Sequence, residues 1–177
     1  MNFKMIQAAA VAASLAVASF AGAAHAATNG TLGATSTGSV DINAVIPNLA
    51  QISGLDDINL GTWSGADLSG SDQFCVFSST RSYTITATSG NGTGATFRLK
   101  DAGTNFIAYT VSWTDSAPAT TALTSGTASG AQATSATSVN CGGADNTTVS
   151  VNVPSANIAS VPAGNYSDTL TLLVTPQ

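Results

Sequence analysis

The chain has 177 residues, four Lys or Arg, nine Asp, no Glu and a formal net charge of −5, with charged residues making up only 7% of it. That length suits one domain of ordinary size. So few cations exclude a phosphate-binding nucleic-acid surface and argue against docking on anionic lipid.

In chain order, the first element is a leader. Lys4 precedes an apolar run over residues 5–20, and small residues end in Ala24-His25-Ala26. This three-part layout predicts a secretory signal peptide over residues 1–26, cleaved before Ala27. The run is short for a bilayer span, which needs about 20 apolar residues. No later stretch approaches that length, so no integral membrane segment is expected. Cleavage would remove both Met residues, the only His and Lys4, leaving Arg81, Arg98 and Lys100 against nine Asp.

Residues 27–39 are polar and Gly-rich, with Leu32 and Ala34 as apolar spacers, and read as an N-terminal extension that reaches to residue 46 on its widest reading. A single domain is expected over residues 40–177. Thr, Ser, Ala, Gly and Asn dominate it, and the helix formers of exposed faces are nearly absent, which predicts an all-β fold.

Alternation supports that class. Val40, Ile42, Ala44 and Ile46 share one face, and Pro47 stops the run. Shorter alternations follow at Ile58 and Leu60, at Phe74, Val76 and Ser78, at Tyr83, Ile85 and Ala87, and at Phe97 and Leu99. Ile107, Tyr109, Val111 and Trp113 form the strongest stripe, followed by Val149, Val151 and Val153. The last is Leu170, Leu172 and Val174, where the intervening Leu173 suggests a strand covered on both faces. Residues 117–137 read as a long loop or a weak edge strand anchored by Leu123. About eight short strands with Gly, Asn and Pro punctuation predict an antiparallel β-sandwich. Because its last strand is apolar, that sandwich needs a further neighbour that no later segment supplies.

Cys75 and Cys141 are the two cysteines. In an exported chain an even count predicts a disulfide. Their spacing is not CxxC, and no His outside the leader could complete a metal shell. No cofactor or metal is expected.

Catalytic signals are weak. With neither His nor Glu beyond the leader, a Ser-His-Asp or Cys-His site cannot be built. Asp56-Asp57 reads as a solvated turn, and Asp67 with Asp72 as a thin candidate for glycoside chemistry or Ca²⁺. Tyr166 beside Asp168 reads as a tyrosine bonding back across a sandwich corner. Trp63 and Trp113 are expected to pack in the core, with sugar stacking as the functional alternative. The chain is not expected to be an enzyme.

Two stretches resemble a known family. Thr37-Gly38-Ser39-Val40-Asp41-Ile42 near the start and Ala163-Gly164-Asn165-Tyr166-Ser167-Asp168-Thr169-Leu170-Thr171-Leu172 near the end are similar to the spore coat protein U-type domain of archaic chaperone–usher pilin subunits. The strands at Phe74-Cys75-Val76, Tyr83-Thr84-Ile85 and Phe106-Ile107-Ala108-Tyr109 follow the family's order. Family members often carry a Cys in the first strand region. Residues 49–53 have none, which leaves Cys75 to Cys141.

The resemblance implies an immunoglobulin-like sandwich missing its last strand. It further implies a fimbrial subunit that polymerises by donor-strand exchange and supports adhesion or biofilm. Implied partners are like subunits in the fibre, a periplasmic chaperone and an outer-membrane usher, with passage through the periplasm to the cell surface. The donor would be Val40, Ile42, Ala44 and Ile46, or Leu32 and Ala34 if it lies earlier. The acceptor groove would include Leu170, Leu172 and Val174. Alternation alone leaves open that residues 40–46 are the first strand of their own sandwich. The competing functional reading is a self-contained secreted binding or coat module that does not polymerise.

Overall fold

The computed structural model describes residues 27–117 and 119–177, so the leader expected at 1–26 lies outside the described residues. The chain divides into two units, one running up to Val45 and the other Ile46–Gln177. In the first, Thr28 and Ser39 exchange backbone hydrogen bonds of 2.9 Å in both directions and close the loop between them. Residues 40–45 join no strand.

The second unit is an all-β sandwich of the immunoglobulin-like kind, with every ladder antiparallel. Its strands are β1 (Ala50–Ser53), β2 (Leu68–Ser78), β3 (Ser82–Ser89), β4 (Phe97–Lys100), β5 (Phe106–Thr114), β6 (Thr120–Ala122), β7 (Gln132–Ala133), β8 (Thr147–Val153) and β9 (Leu170–Pro176). A 3-10 turn at Cys141–Gly143 and a single-turn helix, α1 (Ser155–Ile158), interrupt them. One sheet runs β1-β2-β8-β5-β4 with β6 also on β5, and the other β7-β3-β9.

Period-2 patterning builds the core. Ile107, Tyr109, Val111 and Trp113 of β5 all turn inward, as do Val149, Val151 and Val153 of β8. Phe74 and Val76 of β2 join them, and Tyr83, Ile85 and Ala87 of β3 face them from the smaller sheet. Each such side chain contributes about 1.5–3 kcal/mol on leaving water. Trp113 is fully buried, meets Phe74 edge-on at 5.4 Å and donates its indole N–H to the Tyr83 hydroxyl at 3.1 Å. The expected core role therefore holds for Trp113. It fails for Trp63, which lies outside any strand at 39% exposure.

The Cys75–Cys141 disulfide forms, with the Cα atoms 5.8 Å apart. It ties β2 to the segment ahead of β8. Beside it, Asn146 acts as a substitute strand partner for Val76, accepting from its N–H at 2.9 Å and donating to its C=O at 3.0 Å.

Other expectations need correcting. Ile58 and Leu60 form no strand; they lie half-buried over β2. Gly70 permits that approach, because a Cβ there would stand 2.6 Å from the Ile58 Cγ2. The first ladder is β1, with Ile52 as its only large apolar side chain. The tract at 117–137 contributes the short β6 and β7. Leu173 is 59% exposed, so β9 is covered on one face only.

Candidate functional site

The distinctive feature of the sandwich is the far edge of β9. This strand pairs with β3 from Leu170↔Ser89 to Pro176↔Tyr83. In an antiparallel ladder, alternate residues bond the partner and the rest present N–H and C=O to the other side. Two bonds fix the parity: Gly90 N–H donates to Thr169 C=O, and Gln177 N–H to Ser82 C=O, both near 3 Å. Thr169, Thr171, Leu173 and Thr175 therefore bond β3. Leu170, Leu172 and Val174 point their backbone groups away from it, and Pro176 offers only a carbonyl. No strand of the described residues pairs with that edge.

The same three residues are half-buried, with their side chains packed against the core. Beside them runs a groove of about 680 Å³. Leu170 and Leu172 form one wall and Ile58 with Leu60 the other, over a floor of Val149, Val151 and Tyr109. Asp56, Asp57 and Asp168 stand among its lining residues. Val174 is not part of that lining. It continues the same edge toward the end where Pro176 pairs with Tyr83.

A polar knot fixes the start of β9. Asp168 accepts from the Tyr109 hydroxyl at 2.7 Å and the Ser89 hydroxyl at 2.5 Å through one oxygen. Its other oxygen accepts from the Asn91 backbone N–H at 2.9 Å and side-chain amide at 3.1 Å. Burial, reinforced by the hydrogen bond and charge of Asp168, pushes the Tyr109 hydroxyl well above the ordinary tyrosine value. Tyr109 thus stays protonated at neutral pH and acts as a donor. Tyr166 bonds back to the Pro162 carbonyl at 2.9 Å, the corner contact expected of it.

The carboxylates singled out for chemistry serve the backbone. Asp67 accepts from Ser155 N–H at 2.8 Å, and Asp72 from Asp56 N–H at 3.0 Å. Hydrogen bonds to Asn105, first from its side chain, hold the Asp101 carboxyl below its usual range. These contacts make turns and caps. The arrangement suits strand binding: a groove with apolar side chains on both sides among polar ones, bordered by a row of unpaired backbone donors and acceptors.

The donor residues expected from sequence are exposed. Val40 is 71%, Ile42 90% and Ile46 82% accessible, and Ala44 is exposed as well. Leu32 and Ala34 are also exposed, inside the loop that Thr28 and Ser39 close. Sequence reading missed the second wall of the groove, because Ile58 and Leu60 were taken for a strand.

The family model for the Spore Coat Protein U domain matches residues 34–173. Among solved structures, the chain is similar to one from a chaperone–tip adhesin complex described as vital for synergistic activation of CFA/I fimbriae biogenesis. The TM-score is 0.52 at 19% identity. The likeness covers 73% of this chain and 41% of that one, and at this identity it speaks for the fold alone. No curated protein matches the sequence.

Proposed function

This chain belongs to the Spore Coat Protein U domain family, and from that membership and the open edge of β9 we propose that it is a structural subunit of a surface fibre, polymerising by donor-strand exchange. Each copy lends residues 40–46 to the groove of the next. The fibre would serve adhesion or biofilm, and the chain would have no enzymatic role. A periplasmic chaperone would hold the groove first and an outer-membrane usher would order the exchange. The leader would direct the chain to the periplasm and then the surface.

The single observation that carries this reading is the unpaired edge at Leu170, Leu172 and Val174, set beside a groove of mixed lining to which Leu170, Leu172, Ile58 and Leu60 contribute apolar side chains. Exposed Val40, Ile42 and Ile46 are the matching plugs. Moving each from water into the slot would contribute about 1.5–3 kcal/mol. The late segment is favoured over Leu32 and Ala34, because residues 28–39 are drawn into a closed loop, whereas residues 40–46 are exposed and join no strand.

The test is a ladder assay on the exported chain. It should yield oligomers that resist detergent in the cold and vanish when residues 27–46 are deleted. Ladders that survive the deletion would overturn the donor role. A clean monomer under every condition would instead favour the self-contained coat or binding module.

A further inference from the structure

We infer that the donated segment is held to one register, with Ile46 opposite Leu170, Ala44 opposite Leu172 and Ile42 opposite Val174, by a stop at each of its ends: the closed loop 28–39 before it and the grip of Ser79 on Pro47 after it. This deepens the fibre reading and rests on it.

Both stops are made by hydrogen bonds. Ahead of the segment, Thr28 and Ser39 exchange backbone bonds of 2.9 Å. The contact is tight, since a Cβ at Gly38 would stand 2.8 Å from the Thr28 carbonyl oxygen. The foot of that loop is two extended chains wide, and neighbouring chains lie about 4.7–4.9 Å apart, so it cannot follow a single strand alongside β9. After the segment, the Ser79 hydroxyl donates to the Pro47 carbonyl at 3.0 Å and accepts from the Leu49 N–H at 2.9 Å. The Ser79 N–H donates to the Leu49 carbonyl at 2.9 Å. Between the stops, residues 40–46 are exposed and join no strand. They number seven, as do the residues of β9 from Leu170 to Pro176.

Direction follows from where each chain leaves its own domain. Ser79 lies in the turn between β2 and β3, close ahead of Ser82, whose carbonyl accepts from the Gln177 N–H at 3.0 Å. The Pro176 end of the open edge is thus where a subunit's own Pro47 departs. The body of the donor, joined to Ile46, is left the Leu170 end, which sets the donor antiparallel to β9, the slightly more stable ladder. The outward backbone groups of Leu170, Leu172 and Val174 then meet those of Ile46, Ala44 and Ile42, and the Val40 N–H meets the Pro176 carbonyl. A one-residue slip would turn every plug to the wrong face. A two-residue slip either pulls Gly38 out of the closed loop or draws Pro47 away from Ser79.

Side-chain size agrees. The Tyr109 hydroxyl reaches Asp168 at the head of β9, and the Trp113 indole reaches Tyr83, which pairs with Pro176. Val111, between them, marks the middle of the strand. Val151 pairs with Val111 and Gly70 with Val151, and over Gly70 stand Ile58 and Leu60. The two walls of the groove therefore face each other near Leu172, and this register puts the smallest plug, Ala44, there.

The test is cysteine cross-linking in polymer of the full exported chain, read on the outward face so that no plug is altered. Thr171 is exposed. In this register it stands opposite Val45 as a pair without mutual hydrogen bonds, the closer kind, with Cα atoms about 4.5 Å apart. V45C with T171C should give covalent ladders that survive boiling and collapse with reductant. N43C with T171C reports a slip toward the loop, and D41C with T171C a parallel donor. Positions two residues out of register are about 7–8 Å apart. A disulfide does not span that gap without backbone movement, so each of these pairs should give about tenfold less covalent ladder. More ladder from either of them than from V45C with T171C would overturn the inference, as would polymer of normal length that cross-links through none. Adding G38V, which opens the loop, should raise the N43C with T171C ladders to match those of V45C with T171C. A G38V chain that still cross-links through V45C with T171C alone would overturn the loop's part in setting the register. If wild-type chain forms no ladders at all, the fibre reading itself has failed and the register falls with it.

Discussion

The Tyr109 hydroxyl donates to the Asp168 carboxylate at 2.7 Å and so bolts β5 of one sheet to the segment that launches β9 of the other. Four donors converge on that carboxylate. Truncation strands them, whereas removing one donor leaves the carboxylate three others. Asp168→Ala should therefore destabilise the domain by about 2–3 kcal/mol, and Tyr109→Phe by about 1 kcal/mol, following the cost of unsatisfied buried groups against a lost hydrogen bond. Urea denaturation of the two variants checks the order. Equal losses would mean that Tyr109 is the only partner that matters.

Alkaline stability follows from the same hydroxyl. Burial is the leading cause that raises both Tyr83 and Tyr109 above the ordinary tyrosine value. A group whose folded-state value is raised contributes fully below its unfolded value, about 10 for tyrosine, and loses that contribution as pH climbs through the folded value. The urea midpoint should hold steady up to pH about 10 and then fall. Tyr109→Phe should start lower and show a shallower alkaline fall. An unchanged slope in the variant would assign the alkaline loss elsewhere.

The disulfide links residues 66 positions apart. Closing a loop of that length removes unfolded-chain entropy equivalent to about 4 kcal/mol. Cys75→Ser with Cys141→Ser should lower the thermal midpoint by roughly the shift that reductant causes in the wild-type chain. Cys75 is nearly fully buried, so part of the loss will be packing. A variant as stable as the parent would show that the Asn146 bonds to Val76 alone hold this end of β2.

How much of this was legible in the sequence depends on where side-chain period and backbone pairing coincide. β5, β8 and β3 alternate cleanly because each has one face on the core, and their inward residues could be read directly; in β9 the exposed Leu173 blurred the pattern and suggested two covered faces. Residues 40–46 alternate as cleanly and join no strand, since period 2 marks a segment suited to a sheet without saying which sheet. β1 went unread because Ile52 is its only large apolar residue and its ladder comes from pairing with β2. The segment with Ile58 and Leu60 misled for the opposite reason: its apolar side chains rest on β2 through the space left by Gly70, without a ladder. Trp63 shows the limit of the area argument, as a large apolar side chain in a turn-rich stretch had no strand to carry it inward. Of the site, the apolar wall on β9 was readable from Leu170 and Leu172. The knot at Asp168 was not, because its donors come from positions 59 to 79 residues away.

The groove makes a prediction that needs no polymer. A synthetic peptide of residues 39–47 should bind the chain lacking residues 27–46 and raise its stability, because a ligand that binds only the folded state stabilises by mass action. At one hundred times its dissociation constant the gain is about 2.7 kcal/mol, readable as a shift in the urea midpoint. An Ile42→Asp peptide should give no shift, since a carboxylate in an apolar slot has no partner to offset its desolvation. Leu172 lies on the opposite side of the same contact. Leu172→Ala should weaken peptide binding beyond its own effect on the unliganded midpoint, which the shift measured against each variant's own baseline separates. Asp41→Asn in the peptide serves as the control, because residue 41 has the opposite parity and would face away from the slot. A peptide whose binding is indifferent to Ile42 but sensitive to Asp41 would mean that the segment docks with its other face, and the plugs would then have to be reassigned to Asp41, Asn43 and Val45.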